Sequence, residues 1–185
     1  MGTYVVFDMD DVVANIGPLI LEALNERTGK SFSLEDWHTY DLAQIYDLSY
    51  SQMLQALYDH KVLERATPAK GALEVMGLAR DAGFHVGILT ARGWHPEGRS
   101  ISERWLADNG LMVDRLHVLS PDECKAEVIC EFGDVELFID DYHKHVLAVH
   151  ESGKTRKTIL RNQPWNRSID FDHRVGCLSE LASHF

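Results

Sequence analysis

At 185 residues, the chain is long enough for one sizeable core with a small insert and short for two full domains. Its 45% hydrophobic and 25% charged residues are ordinary for a soluble globular protein, and its net charge of −11 disfavours a long, sequence-independent grip on nucleic acid while leaving room for a small anionic substrate. No apolar run reaches the roughly 18 residues of a membrane span, and the N-terminus carries neither a charged leader nor a myristoylation signal, since Val6 stands where Ser or Thr is needed. The expected location is cytoplasmic. Cys124, Cys130 and Cys177 have no zinc-ligand spacing and are expected to be reduced, mostly buried thiols.

Taken in chain order, residues 3–7 (TYVVF) form a β-rich apolar run, a short buried strand that ends in the acidic cluster Asp8, Asp10 and Asp11. No convincing strand follows between Gly17 and Thr67. That interval reads as helical at 18–29, at 33–40 with Ser33 and Asp36 as capping residues, and at 49–63. A helix over 71–81 stops at Ala82-Gly83, and residues 84–90 (FHVGILT) form a second strand ending at Thr90. Ser100 and Glu103 resemble a capping box for a helix closing at Asn109-Gly110. Residues 114–120 form a third strand, 121–132 a helix closing at Gly133, and 135–140 (VELFID) a fourth strand ending at Asp140. A helix over 142–152 closes at Gly153, and 156–160 is a weaker fifth strand.

Strands alternating with helices in this way imply parallel βαβ units and an open, Rossmann-like α/β sheet flanked by helices. The expected division is a core of residues 1–16 and 68–185, with a small all-helical cap of 17–67 inserted after the first strand. Asp8, Thr90 and Asp140 then all stand at the C-terminal ends of strands, the edge where open parallel sheets bind ligands.

Asp8, Asp10 and Asp140 make an oxygen-rich site suited to a hard cation such as Mg²⁺, which also relieves their mutual repulsion. Asp8 is suited to attack phosphorus as a carboxylate nucleophile, and Asp10 to protonate the leaving oxygen and then activate water. Thr90 offers a hydroxyl, and the backbone after it, from Ala91, offers N–H groups to phosphate oxygens. Lys125 is the lysine best placed to neutralise the transferring group. Arg92 either reaches phosphate or caps the following helix, and Asp141 either ligates the metal or hydrogen-bonds the groups that do. His143 and His145 diverge by about 200° on a helix, so one at most faces inward. Trp37, Tyr40, Tyr46, Tyr50 and Tyr58 could stack on a nucleobase or pack the insert. The basic run from Lys154 through Arg156, Lys157 and Arg161 to Arg167 reads first as a solvated surface.

Four segments, FDMDDVV (Asp8, Asp10), ILTARG (Thr90), DECKAEVI (Lys125) and LFIDD (Asp140, Asp141), resemble the four ordered motifs of the haloacid dehalogenase superfamily. In its phosphatase branch the resemblance implies Asp8 as nucleophile and Asp10 as acid and base. It implies Thr90 and Lys125 on phosphate, and Mg²⁺ held by Asp8, the Asp10 carbonyl and Asp140. A helical insert directly after the first motif is similar to the family's cap. Asp11 stands where the family often has Gly.

DMDDVVANI, LNERTG, TPAKGALEVM, LFIDD and NQPWN further resemble segments of the 5'(3')-deoxyribonucleotidase family, with Ala91 where animal members carry Ser. That resemblance implies a (deoxy)nucleoside monophosphate as the small-molecule partner. The net charge and the lack of a long apolar run set the expectation of no long nucleic acid and no membrane, and a homodimer is the one assembly expected. TARGWHPEG also looks like the phosphatase domain of polynucleotide kinases, which makes a polynucleotide 3'-phosphatase the alternative. A phosphorelay receiver would need a phosphoacceptor Asp on a strand before Thr90 and has no role for Asp140-Asp141. A non-catalytic phosphate-binding module would not need the acid at Asp10.

Overall fold

The computed structural model describes residues 2–120 and 123–185. In chain order its elements are β1 (Tyr4–Phe7), β2 (Ala14–Asn15), α1 (Gly17–Thr28), α2 (Leu42–Tyr46), α3 (Tyr50–Asp59), α4 (Val62–Arg65), β3 (Thr67–Pro68), α5 (Ala72–Asp81), β4 (His85–Thr90), α6 (Gly98–Asp108), β5 (Arg115–Val118), α7 (Lys125–Val128), β6 (Val135–Asp140), α8 (His143–Ser152), β7 (Lys157–Arg161) and β8 (Arg174–Val175). Six strands form one sheet in the order β5-β4-β1-β6-β7-β8, and every pair in it is parallel. This is the open, helix-flanked α/β sheet expected from the sequence.

The central strands read as continuous apolar runs because both of their faces are covered. Val5, Phe7, Val86, Ile88, Leu137 and Ile139 point into one core cluster with α5 and α6 residues such as Val75 and Trp105. Val6, Leu89 and Phe138 point into another on the opposite face, with Val128, Phe132 and Val149. The chain winds from β1 to β4 and β5 on one side, then returns to β6, β7 and β8 on the other. The reversal opens a crevice at the C-terminal ends of β1 and β6, where a doubly wound sheet takes its ligands.

Between β1 and β4 the chain leaves the sheet through β2 and returns through β3. These two-residue strands pair antiparallel, Ala14 with Pro68 and Asn15 with Thr67. The helices between them close around a third apolar cluster containing Leu21, Leu24, Trp37, Tyr46, Leu57 and Leu63. Trp165 and Ile101 also belong to this cluster, so the helical layer shares its core with two residues from the sheet side.

Local expectations fail in five places. The stretch 49–63 is two helices, α3 and α4, because Lys61 takes a left-handed φ of 51° between them. The stretch 33–40 is only a 3₁₀ turn over Leu34–Asp36, although Ser33 and Asp36 do form a capping box there. Ser100 lies inside α6, which starts at Gly98, and its hydroxyl donates to the Glu97 carbonyl instead of capping. The helix expected over 121–132 is α7 followed by a 3₁₀ turn, Ile129–Phe132, and its first two residues lie outside those described. The cysteines are not mostly buried: Cys130 and Cys177 are exposed and Cys124 is half-buried, because each sits at a turn or helix end and not on a sheet-facing stripe.

Candidate active site

Asp8 follows the last residue of β1, and its amide donates to the Ile139 carbonyl at 2.8 Å, which fixes the chain beside β6. Asp140 ends β6 itself. Both carboxylates are buried. Lys125, at the start of α7 and also buried, reaches between them: its Nζ donates to Asp8 Oδ1 and, at 2.7 Å, to Asp140 Oδ2. His145 Nδ1 lies 3.2 Å from the same Asp140 oxygen, and the Tyr142 amide donates to Asp140 Oδ1 at 2.8 Å.

One ammonium thus serves a cluster of three carboxylates, because Asp141 stands beside Asp8 and Asp140 with an oxygen of each within 4.8 Å of the others. Burial pushes the Asp8 carboxyl up to about 8, against the pull of Lys125. Burial, with Asp140 and Asp8 as like-charged neighbours, holds Asp141 well above the usual carboxylate range. At Asp140 burial acts in the same sense, but Lys125 and His145 outweigh it and hold the carboxyl below that range. Lys125 stays above the usual lysine range despite its burial, since Asp140 and Asp8 both face it. Three buried carboxyls that share one ammonium can ionise together only beside a further cation.

Asp10 faces a different partner. Arg92, with no exposed surface, donates from Nη2 to Asp10 Oδ1 at 2.5 Å and from Nε to both carboxylate oxygens at 3.0 and 3.1 Å. Its Nη1 donates to Ser102 Oγ at 3.2 Å, which ties the guanidinium to α6. The helix start is pressed against this residue: a Cβ at Gly98 would lie 2.2 Å from the Arg92 carbonyl oxygen. Arg92 therefore meets the carboxylate of Asp10, behind the cavity. Thr90 is buried at the end of β4, and its Oγ1 has no partner among the described residues. Ala91 lines the cavity next to it.

Asp11 takes φ of 53°, a left-handed conformation that Asp adopts more readily than most residues. Its Oδ1 accepts from the amides of Ile16 at 3.2 Å and Gly17 at 2.8 Å, so it caps the start of α1 and joins the acidic loop to the helical layer. Burial pushes its carboxyl up to about 7, although those two amides oppose the shift.

Above the acidic floor lies a cavity of about 630 Å³. Asp8, Asp10, Asp140, Asp141 and Lys125 line its base, while Ile20, Leu42, Met53, Leu54, Leu57 and Trp94 line its apolar side. Of the five aromatics noted in the insert, Trp37, Tyr40 and Tyr50 line it. Tyr46 instead packs in the helical layer, with its hydroxyl on Asn25, and Tyr58 stacks on His95. His143 and His145 both border the cavity. Most of the basic run meets partners within the chain: Lys154 donates to the Ala126 carbonyl, Arg156 pairs with Asp134 and Glu136, and Arg167 pairs with Glu35, whereas Arg161 Nε and Nη1 are buried without a partner among the described residues.

The carboxylates of Asp8, Asp140 and Asp141 suit a hard, oxygen-seeking divalent ion such as Mg²⁺. The Asp10 carboxylate is turned to Arg92 and is not part of this group. Three contributors had no assigned role in the sequence: Gln163 and Asn166 donate to the backbone carbonyls of Asp11 and Asp141, and Trp165 donates to the Asp141 carboxylate. Only the likeness of NQPWN to a family segment pointed to them.

The fold is that of solved haloacid dehalogenase-like hydrolases. A haloacid dehalogenase-like hydrolase from Streptococcus pneumoniae superposes with a TM-score of 0.72 at 15% identity, covering 99% of this chain and 98% of that one. CbbY from Rhodobacter sphaeroides, solved in complex with phosphate, superposes at 0.68 with 13% identity, covering 98% and 96%. At such identities the likeness is one of fold. In sequence, a candidate nucleotidase of Halalkalibacterium halodurans is 25% identical over 162 residues, spanning 86% of this chain and 80% of that protein. No protein-family model matches the chain.

Proposed function

We propose that the chain is a Mg²⁺-dependent phosphomonoesterase that hydrolyses (deoxy)nucleoside monophosphates through a phosphoryl group carried on Asp8. The observation that carries this reading is the juxtaposition at the cavity floor: a buried Asp8 held by Lys125, an Asp10 that borders the same space, and an apolar, aromatic wall opposite them.

A bound Mg²⁺ would neutralise phosphate oxygens and favour the ionised form of Asp8. The Asp8 carboxylate attacks phosphorus, the bond to the ester oxygen breaks, and the leaving oxygen takes a proton from Asp10. Asp10, now ionised, takes a proton from water as that water attacks the phosphorus of the acyl phosphate. Inorganic phosphate departs, Asp8 is restored, and Asp10 is again protonated. Lys125 keeps positive charge beside the group in transfer, and the Thr90 hydroxyl, buried and without a partner among the described residues, would donate to a phosphate oxygen that reaches it.

The cavity's two ends support this substrate class. Acidic residues with a lysine suit a phosphate–metal pair, while Trp37, Tyr50, Leu54 and Leu57 suit a flat, weakly polar body such as a nucleobase. The likeness to a candidate nucleotidase points the same way. The test is phosphate release from a panel of 5'- and 3'-nucleoside monophosphates, sugar phosphates and a 3'-phosphorylated oligonucleotide. Mononucleotides should lead in kcat/KM, with activity abolished by EDTA and restored by Mg²⁺. A sugar phosphate as best substrate would remove the nucleotidase reading; a preferred oligonucleotide would replace it with the polynucleotide 3'-phosphatase.

A further inference from the structure

The segment 162–166 (NQPWN) packs against the acidic centre, and its Trp165 also lines the cavity. Gln163 Nε2 donates to the Asp11 carbonyl at 2.8 Å, Asn166 Nδ2 to the Asp141 carbonyl at 2.7 Å, and Trp165 Nε1 to Asp141 Oδ2 at 2.8 Å. Asn166 is fully buried and is itself held by Arg174 Nη2 at 2.7 Å. The Trp165 ring lies against Trp37 of the helical layer, with centroids 4.0 Å apart.

From these contacts we infer that Trp165 is a positioning residue for the divalent-cation site, turning the Asp141 carboxylate toward Asp8 and Asp140 through its indole N–H. The inference rests on the cation reading made above. Asp141 is buried beside two carboxylates that repel it, and among the described residues Trp165 is the one side-chain donor to its carboxylate. A donor is needed to hold that group in place, and the kind of donor matters. Lysine or arginine would cancel the negative charge. A neutral indole N–H orients the oxygen and leaves the charge for a cation. The stack on Trp37 fixes the indole plane, so one side chain both aims a ligand and seats the helical layer.

Calorimetric titration with Mg²⁺ tests this without reference to turnover. Trp165→Phe keeps a ring against Trp37 and removes the N–H, and should weaken Mg²⁺ binding about tenfold. In an Asp141→Asn background the same change should add no further loss, since Trp165 acts through Asp141. Wild-type affinity in Trp165→Phe, or additive losses, overturns the inference. The unaltered protein offers a second measurement independent of how the variants fold. Mg²⁺ should shift the Trp165 indole N–H resonance and leave that of Trp105, held on the Ala66 carbonyl at 2.7 Å, in place. An unmoved Trp165 resonance in the presence of bound Mg²⁺ overturns the inference alone. Wild-type protein that binds no Mg²⁺ overturns it together with the cation reading, whereas Mg²⁺ binding without phosphate release overturns only the proposed reaction.

Discussion

Arg92 grips Asp10 with three donor contacts of 2.5 to 3.1 Å, although the two residues stand 82 positions apart. The guanidinium is sealed from solvent while the Asp10 side chain keeps 30% of its surface exposed. The fork fixes the carboxylate from behind and leaves an edge toward the cavity.

Arg92→Lys should therefore separate holding from charge. Lysine keeps the positive charge but offers a point donor in place of a planar fork. The expected result is a fall in kcat on nucleoside monophosphates of about tenfold or more, up to the roughly 10²- to 10⁴-fold that a general acid contributes. A smaller fall is expected on an activated aryl phosphate, whose leaving group needs little protonation. Equal losses on both substrates would count against a role through Asp10. Arg92→Met removes one partner of a mostly buried pair. It should cost no more than about 3 kcal/mol in a urea titration, the low end for such pairs, because water reaches Asp10.

Stability should respond to pH in a way that reports the acidic cluster. The Asp8 and Asp11 carboxyls are raised to about 8 and about 7 by burial. A carboxyl raised in the folded state binds more protons folded than unfolded, so its contribution is full below the unfolded pKa near 4 and is lost as pH rises through the folded one. With EDTA present, the melting temperature should decline between about pH 4 and pH 8. Added Mg²⁺ should offset that decline, and its stabilising effect should grow with pH. A Mg²⁺-induced shift that is constant across this range would contradict a cation seated among these carboxylates.

Tyr50 offers the cleanest test of the cavity wall, being 63% exposed and free of the core packing that holds Trp37. Tyr50→Ala should raise KM for nucleoside monophosphates by the equivalent of about 1 kcal/mol, the low end for a lost stacking contact. KM for p-nitrophenyl phosphate should change far less. Steady-state kinetics on both substrates check this, and equal changes would mean that Tyr50 contacts no base.

The parts of the fold that were legible in the sequence are those with a local period. Residues 135–140 are a strand in both readings because Val135, Leu137, Phe138 and Ile139 make an apolar run that Asp140 ends. Thr90 closes β4 for the same reason. The paired stems β2 and β3 were invisible, since two residues carry no period and their pairing joins Ala14 to Pro68 across the whole helical layer. Arg92 shows the limit most clearly. Its position after Thr90 suggested phosphate or a helix cap, but a buried guanidinium takes the nearest carboxylate, and that carboxylate is distant in sequence. Trp165 and Asn166 were likewise unreadable as supports of Asp141, because a single indole or amide contact leaves no pattern along the chain.

The central claim is the covalent one, that the phosphoryl group passes through Asp8. Protein quenched in acid during turnover of a nucleoside monophosphate with Mg²⁺, then digested and analysed by mass spectrometry, tests it directly. One phosphoryl group should be found on Asp8 in the wild type, and Asp8→Asn should carry none and release less than about a tenth of the wild-type phosphate. Turnover with an unmodified Asp8 peptide, sustained in Asp8→Asn, would contradict the account.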